Sequence, residues 1–247
     1  MNIVVPTRFA AFAHRGGSAE APENSLEAFT HAVDLGYSEI ETDIRGTRDG
    51  VAVIHHDATL DRTTDRSGLI RDLTWAEVRR ARVHGREPIL RLEEALEACP
   101  GARFTVDVKE AASVPALIDA LTRSAGANRA VVSSFSHSRL RQVRRALPVS
   151  TSASPREVLR LLAAARLRRR IRIDARYVAI PPSIVRMPLA EPGFIEAAHT
   201  MGADVHVWTI DDPDTMHALI DQGVDGLMTD RPTVLREVLR ARGLWPN

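Results

Sequence analysis

Two residue types are almost missing from this chain, cysteine and lysine. Cys99 is the one cysteine, so no disulfide can form within the chain, and a lone thiol at an expected helix end reads as a small apolar filler. Lysine occurs once, at position 109, among 33 basic residues. A chain that otherwise uses arginine throughout keeps a compact ammonium either by accident of composition or because that position demands one. Long apolar runs are absent too. None is long enough to span a bilayer, and Met1 to Ala13 lacks the charged segment leading into an apolar one that marks a secretory signal. The expectation is a reduced, cytoplasmic setting with no integral membrane segment. Nor is there a surplus of one charge: 33 basic residues against 32 acidic ones leave +1. No global field therefore draws nucleic acid or an anionic membrane to the surface, and any anionic ligand must be held locally.

What is present is a regular alternation. Short β-rich apolar runs at Phe9 to Ala13, Glu39 to Arg45, Arg103 to Val108, Ala130 to Ser134, Val149 to Ser152, Tyr177 to Ile180, Asp204 to Ile210 and Gly226 to Thr229 are each followed by a helical pattern. Several helix starts carry cap signals: Asn24 with Glu27, Thr74 with Glu77, and the pairs Ser154-Pro155 and Asp212-Pro213. Val51 to His55 adds a strand after the turn at Asp49-Gly50, so the second unit contains a small excursion before the third barrel strand. No linker or low-complexity tract divides the sequence, and 247 residues suit one (β/α)8 unit. Open doubly wound sheets also alternate in this way. The clustering of polar residues at the C-terminal ends of strands one, two, three and seven favours a single TIM barrel over residues 1–247, with its site at that end.

Within Glu39 to Asp43 the period of two puts Glu39, Glu41 and Asp43 on one face. Adjacent buried carboxylates repel, so Glu41 and Asp43 are either a structural ion-pair site or the ligands of a hard cation such as Mg2+ or Ca2+. Asp107 and Lys109 share a face at another strand end, where each needs a partner; a plain salt bridge between them is the simpler reading, and joining the Glu41 and Asp43 cluster is the richer one. His14-Arg15-Gly16-Gly17 directly follows the first strand, and its glycines allow backbone amides to approach an anion. His14 and His56 lie beside the carboxylates, whereas His55, His84, His137 and His206 read as structural.

The ordered set His14-Arg15-Gly16, Pro22-Glu23-Asn24-Ser25, Glu41-x-Asp43, His56-Asp57, Asp107-x-Lys109 and Val207-Trp208-Thr209 resembles the glycerophosphodiester phosphodiesterase family, within the phosphatidylinositol-specific phospholipase C-like phosphodiesterase barrels. That resemblance spans nearly the whole chain and implies hydrolysis of a small-molecule glycerophosphodiester to sn-glycerol 3-phosphate and an alcohol. It implies His14 and His56 as the acid and base, Glu41, Asp43 and Asp107 as ligands of one divalent cation (Mg2+ or Ca2+, with Mn2+ as a further candidate), Arg15 and Lys109 as phosphate contacts, and Trp208 as an aromatic wall beside the substrate. Asp107 departs from the family's usual glutamate and is one methylene shorter. The first assignment makes His14 the base and His56 the acid, with water or the glycerol 2-hydroxyl as nucleophile. A lysophospholipase D-like activity is the alternative reading; its one lipid-compatible feature, the basic stretch Arg166 to Arg172, reads more simply as a solvated helix face.

Overall fold

Strands covered by helices need apolar residues on the helix-facing side, and most of the eight expected runs supply them, with the carboxylates of Glu39 to Asp43 on the alternate face. In the computed structural model, which describes residues 9–167, 169–184 and 187–245, the runs form the strands Ala10–Ala13, Glu39–Gly46, Arg103–Val108, Ala130–Ser133, Ser150–Thr151, Tyr177–Ile180, Asp204–Val207 and Gly226–Thr229. All neighbours among them are parallel, running from the fifth strand back to the first and on through the eighth and seventh to the sixth. The fifth and sixth meet only at a parallel bridge, Ser152 to Tyr177, and at an Ala153 N–H donating to the Tyr177 carbonyl at 2.7 Å. The result is a nearly closed (β/α)8 barrel.

The second strand is the longest because it has three partners. It pairs with the first strand, with the third, and through Ile44, Arg45 and Gly46 with the antiparallel strand Ala52–Ile54 that opens the excursion. The excursion packs its own apolar cluster of Val53, Leu60, Ile70, Val78, Val83 and Ile89. Two larger clusters seat helices on the barrel, one around Phe29, Ile40, Phe104 and Leu117, the other around Val178, Phe194, Val205 and Leu235. Burial of such side chains contributes about 1.5–3 kcal/mol each.

The helix starts follow the cap signals with one exception. Ser154 and Asp212 accept from the backbone N–H groups of Glu157 and Thr215, and Thr74 forms a capping box with Glu77. At Leu26–Asp34 the cap is Ser25, which accepts from Ala28 N–H, and not Asn24. A cap residue needs extended backbone, whereas Asn24 has φ +58; its side chain is used elsewhere. Among the described residues, no helix is long and apolar enough to cross a membrane. Met1 to Arg8 of the N-terminal segment and Arg168 of the basic stretch lie outside the described residues.

Candidate active site

Register brings the carboxylates together. Asp43 on the second strand sits directly beside Asp107 on the third, and Glu41 lies two residues earlier on the same face as Asp43. All three are buried. Lys109, just past the end of the third strand, places Nζ 2.7 Å from Asp43 Oδ1 and 2.7 Å from Asp107 Oδ2. Arg15 supplies a second cation, its Nε 3.4 Å from Asp43 Oδ2. The left-handed backbone of Arg15, φ +50, turns its N–H toward Glu41 Oε2 at 3.1 Å. Asn24 donates from Nδ2 to Asp43 Oδ2 at 2.9 Å, the use to which the misread cap residue is put.

The two aspartates on Lys109 respond differently. Burial works to raise Asp43, but Lys109 and Arg15, with the Asn24 hydrogen bond, hold its pKa below the usual carboxylate range. Asp107 has no such additional donors, and burial raises its pKa despite Lys109. Glu41 is pushed up to about 7 by burial, with Asp43 adding to the effect. Lys109 itself would be lowered by burial, yet Asp43 and Asp107 outweigh that and hold it in the charged form.

Each of the two expected histidines is held by a carboxylate through Nδ1. His14 donates from Nδ1 to Asp230 Oδ1 at 2.6 Å, and Ser18 donates to the same oxygen. Its Nε2 lies 3.7 Å from Glu41 Oε2. Burial alone would lower the His14 pKa, but Glu41 and Asp230 outweigh it and raise the pKa above the ordinary imidazole value. His56 donates from Nδ1 to Asp57 Oδ1 at 2.6 Å, while its carbonyl accepts from the Arg45 guanidinium at 2.8 Å. In both cases an acceptor-only carboxylate fixes the tautomer and leaves Nε2 for another partner.

Arg62, from the excursion, joins the two sides. It grips Asp57 through Nε at 2.6 Å and Glu23 through two nitrogens at 2.7 and 2.8 Å. Glu23 in turn accepts from Arg15 at 3.1 Å. A chain of charges therefore runs from His56 through Asp57, Arg62, Glu23 and Arg15 to Asp43 and Lys109. Trp208 leaves the seventh strand at the mouth, its ring edge-on to exposed Phe135 at 5.9 Å. The tandem glycines serve packing: at Gly16 a Cβ would fall 2.7 Å from Ala28 Cβ.

The structure thus gathers Glu41, Asp43, Asp107, Arg15, Lys109 and His14 into one cluster, with His56 tied to it through Arg62. His55 and His206 stay outside it: His55 is buried and bonded to the Thr59 carbonyl, and His206 is stacked on Tyr177. Asp230 and Arg62 were not anticipated. Neither carries a local signal; His14 and Asp230 are 216 positions apart.

Among the described residues, no group of three His, Cys, Asp or Glu side chains is drawn together as a metal cluster, and Lys109 stands between Asp43 and Asp107. The donor chemistry nevertheless suits a divalent cation. Asp107 Oδ1 is buried without a hydrogen-bond partner, and burial with Asp43 alongside makes the charged form of Glu41 costly, a cost that a cation would relieve. All-oxygen donors suit a hard ion.

A model of the glycerophosphoryl diester phosphodiesterase family matches residues 14–234. The chain is 40% identical over 243 residues to the Mycobacterium tuberculosis protein named "Probable glycerophosphodiester phosphodiesterase 2", covering 95% of this chain and 92% of that one. It is 30% identical over 249 residues to the glycerophosphodiester phosphodiesterase of Caldanaerobacter subterraneus, covering 94% and 98%. An Oleispira antarctica phosphodiesterase, solved in complex with the product sn-glycerol-3-phosphate, shares the fold with a TM-score of 0.80 at 24% identity, covering 94% and 96%. With register, cluster and likeness in agreement over almost its whole length, the chain belongs to the glycerophosphoryl diester phosphodiesterase family and is a phosphoric diester hydrolase.

Proposed function

We propose that the chain hydrolyses glycerophosphodiesters to sn-glycerol 3-phosphate and an alcohol, with His14 and His56 as the proton-transfer pair. The observation that carries this reading is the paired anchoring of two imidazoles by Asp230 and Asp57, each at 2.6 Å, His14 against the buried charge cluster and His56 linked to it through Arg62 and Glu23. A phosphodiester resists nucleophiles through its negative charge and needs its leaving oxygen protonated. Arg15 and Lys109 answer the first need by contacting phosphoryl oxygens; one histidine Nε2 takes the nucleophile's proton and the other gives one to the leaving alcohol. Glu41 and Asp230 favour a protonated His14, which suits a donor, so the order expected from the sequence, His14 as base, is open to direct measurement. Loss of the base removes the acidic limb of the kcat/KM profile, and loss of the acid removes the basic limb.

Glu41, Asp43 and Asp107 would hold one divalent cation, Mg2+, Ca2+ or Mn2+, which when bound polarises a phosphoryl oxygen. Trp208 with Phe135 forms an apolar wall for the organic part of the substrate. A cytoplasmic setting is supported by a single, buried cysteine. Metal-stripped protein assayed on glycerophosphocholine, glycerophosphoethanolamine, glycerophosphoglycerol and lysophosphatidylcholine tests the cation and the substrate class. The expected result is release of sn-glycerol 3-phosphate that returns when a cation is restored. Full turnover after exhaustive chelation overturns the metal assignment, and turnover confined to lysophosphatidylcholine overturns the substrate class.

A further inference from the structure

On the outside of the barrel, between the helices His137–Ala146 and Pro155–Arg166, lies a cleft of about 400 Å³ that shares no lining residue with the carboxylate cluster. Its volume is that of small-molecule sites, roughly 300–1,000 Å³. The floor is fixed. Arg144 donates to Glu157 Oε1 at 2.7 Å and to Thr151 Oγ1 at 2.8 Å, and buried Glu157 also accepts from Ser154 N–H at 2.8 Å. Arg144 and Glu157 therefore neutralise each other, as Arg172 and Asp174 do, less closely, at one end.

The walls are different. Arg141 and Arg145 stand one turn apart on one helix, and Arg156 and Arg160 one turn apart on the other; all four are exposed. Among the described residues, none of the four has a carboxylate partner, a side-chain hydrogen bond or an aromatic stack. Like charges one turn apart disfavour a helix by about 0.2–0.5 kcal/mol per pair, and here two such pairs face one cleft. In a chain whose net charge is +1, this is a local excess of four positive charges.

We infer that this cleft is a second anion site, taking a compact polyphosphate, inorganic or organic, rather than a single phosphate. Guanidinium forks match phosphoryl oxygens two at a time. A monophosphate carries only about two negative charges and leaves half of the wall unbalanced, whereas a triphosphate chain balances it. A concave cleft with a rigid floor is suited to a ligand that enters it. A flat lipid surface would not reach the floor of a concave cleft.

The test is calorimetric titration of the full chain with tripolyphosphate at low salt, since guanidinium and phosphate contacts weaken as salt rises. Arg141→Gln with Arg160→Gln should weaken binding at least tenfold while leaving turnover of glycerophosphocholine unchanged and the melting temperature equal or higher. Lys109→Ala, at the barrel mouth, should leave tripolyphosphate binding as it was. The inference is overturned if no binding is seen, if binding is lost in Lys109→Ala but kept in the double variant, or if phosphatidylglycerol vesicles bind through these arginines while tripolyphosphate does not. Should the double variant fail to fold, Arg156→Gln alone gives the same reading at smaller amplitude.

Discussion

His14 and His206 both lie among the side chains of the barrel, yet they have opposite chemistry. His206 packs between Tyr177 and Phe12 with, among the described residues, no carboxylate on its ring, and burial pushes its pKa down to about 3. His14 is also largely buried, but Asp230 holds one nitrogen and Glu41 faces the other, and its pKa is raised. Burial alone makes an inert neutral ring; a carboxylate behind the ring makes one that can carry a proton. His56 shares the geometry, with Asp57 behind its ring at 2.6 Å.

The comparison is broken hardest at the rings themselves. His14→Ala and His56→Ala are each expected to lower kcat by at least about 100-fold, measured on glycerophosphocholine. The double variant should lose less than the product of the two, because both act in one transition state. Additive, modest losses would mean that the rings only orient substrate.

One step back from the ring, Asp230→Asn keeps the shape and removes the charge. A drop in kcat of at least about 10-fold is expected, because the carboxylate that sets the ring's tautomer and orientation is lost. Because Asp230 helps raise the His14 pKa, the limb of the pH profile that belongs to His14 should move to lower pH. An unmoved limb would assign it to another group.

Lys109→Arg tests the cation between Asp43 and Asp107. A guanidinium bridges two carboxylates with different nitrogens, as Arg62 does, and so needs them spaced more widely than the single Nζ that touches both Asp43 and Asp107 at 2.7 Å. The expected fall in kcat/KM is more than about tenfold, or roughly 1.4 kcal/mol, with little change in melting temperature. Near-wild-type kinetics would make the lone lysine an accident of composition.

The smallest kinetic effect belongs to His206→Leu, which should leave kcat unchanged. Its effect is on stability. Above about pH 6.5 the ring is neutral in both folded and unfolded chains. As pH falls from there toward 3, the unfolded chain binds a proton that the folded chain refuses, so stability declines through that window. Denaturant midpoints at pH 7 and pH 4 should therefore lie closer together in His206→Leu than in the parent chain.

The fold was legible because periodicity is local: all eight strand positions and the excursion follow from alternation and turn residues. The carboxylates were legible for the same reason, since Glu41 and Asp43 share a face by spacing and Asp107 lies at a strand end. Asp230 and Arg62 were not, because what they do depends on register and loop placement across the barrel. Asn24 shows the opposite failure. A residue with a good local use as a helix cap was taken for Asp43, and Ser25 moved into the cap.

The barrel has one thin joint, the lone Ser152 to Tyr177 bridge between the fifth and sixth strands. In the ring of eight, that joint lies across from the contact between the first and second strands, next to which His14, Glu41 and Asp43 sit. Amide exchange should be fastest at this seam and slowest on the second strand, which is hydrogen-bonded to three others. The barrel can thus breathe where nothing reacts, and a chain cut or re-ended at the seam would leave the reacting groups on their most tightly laced staves.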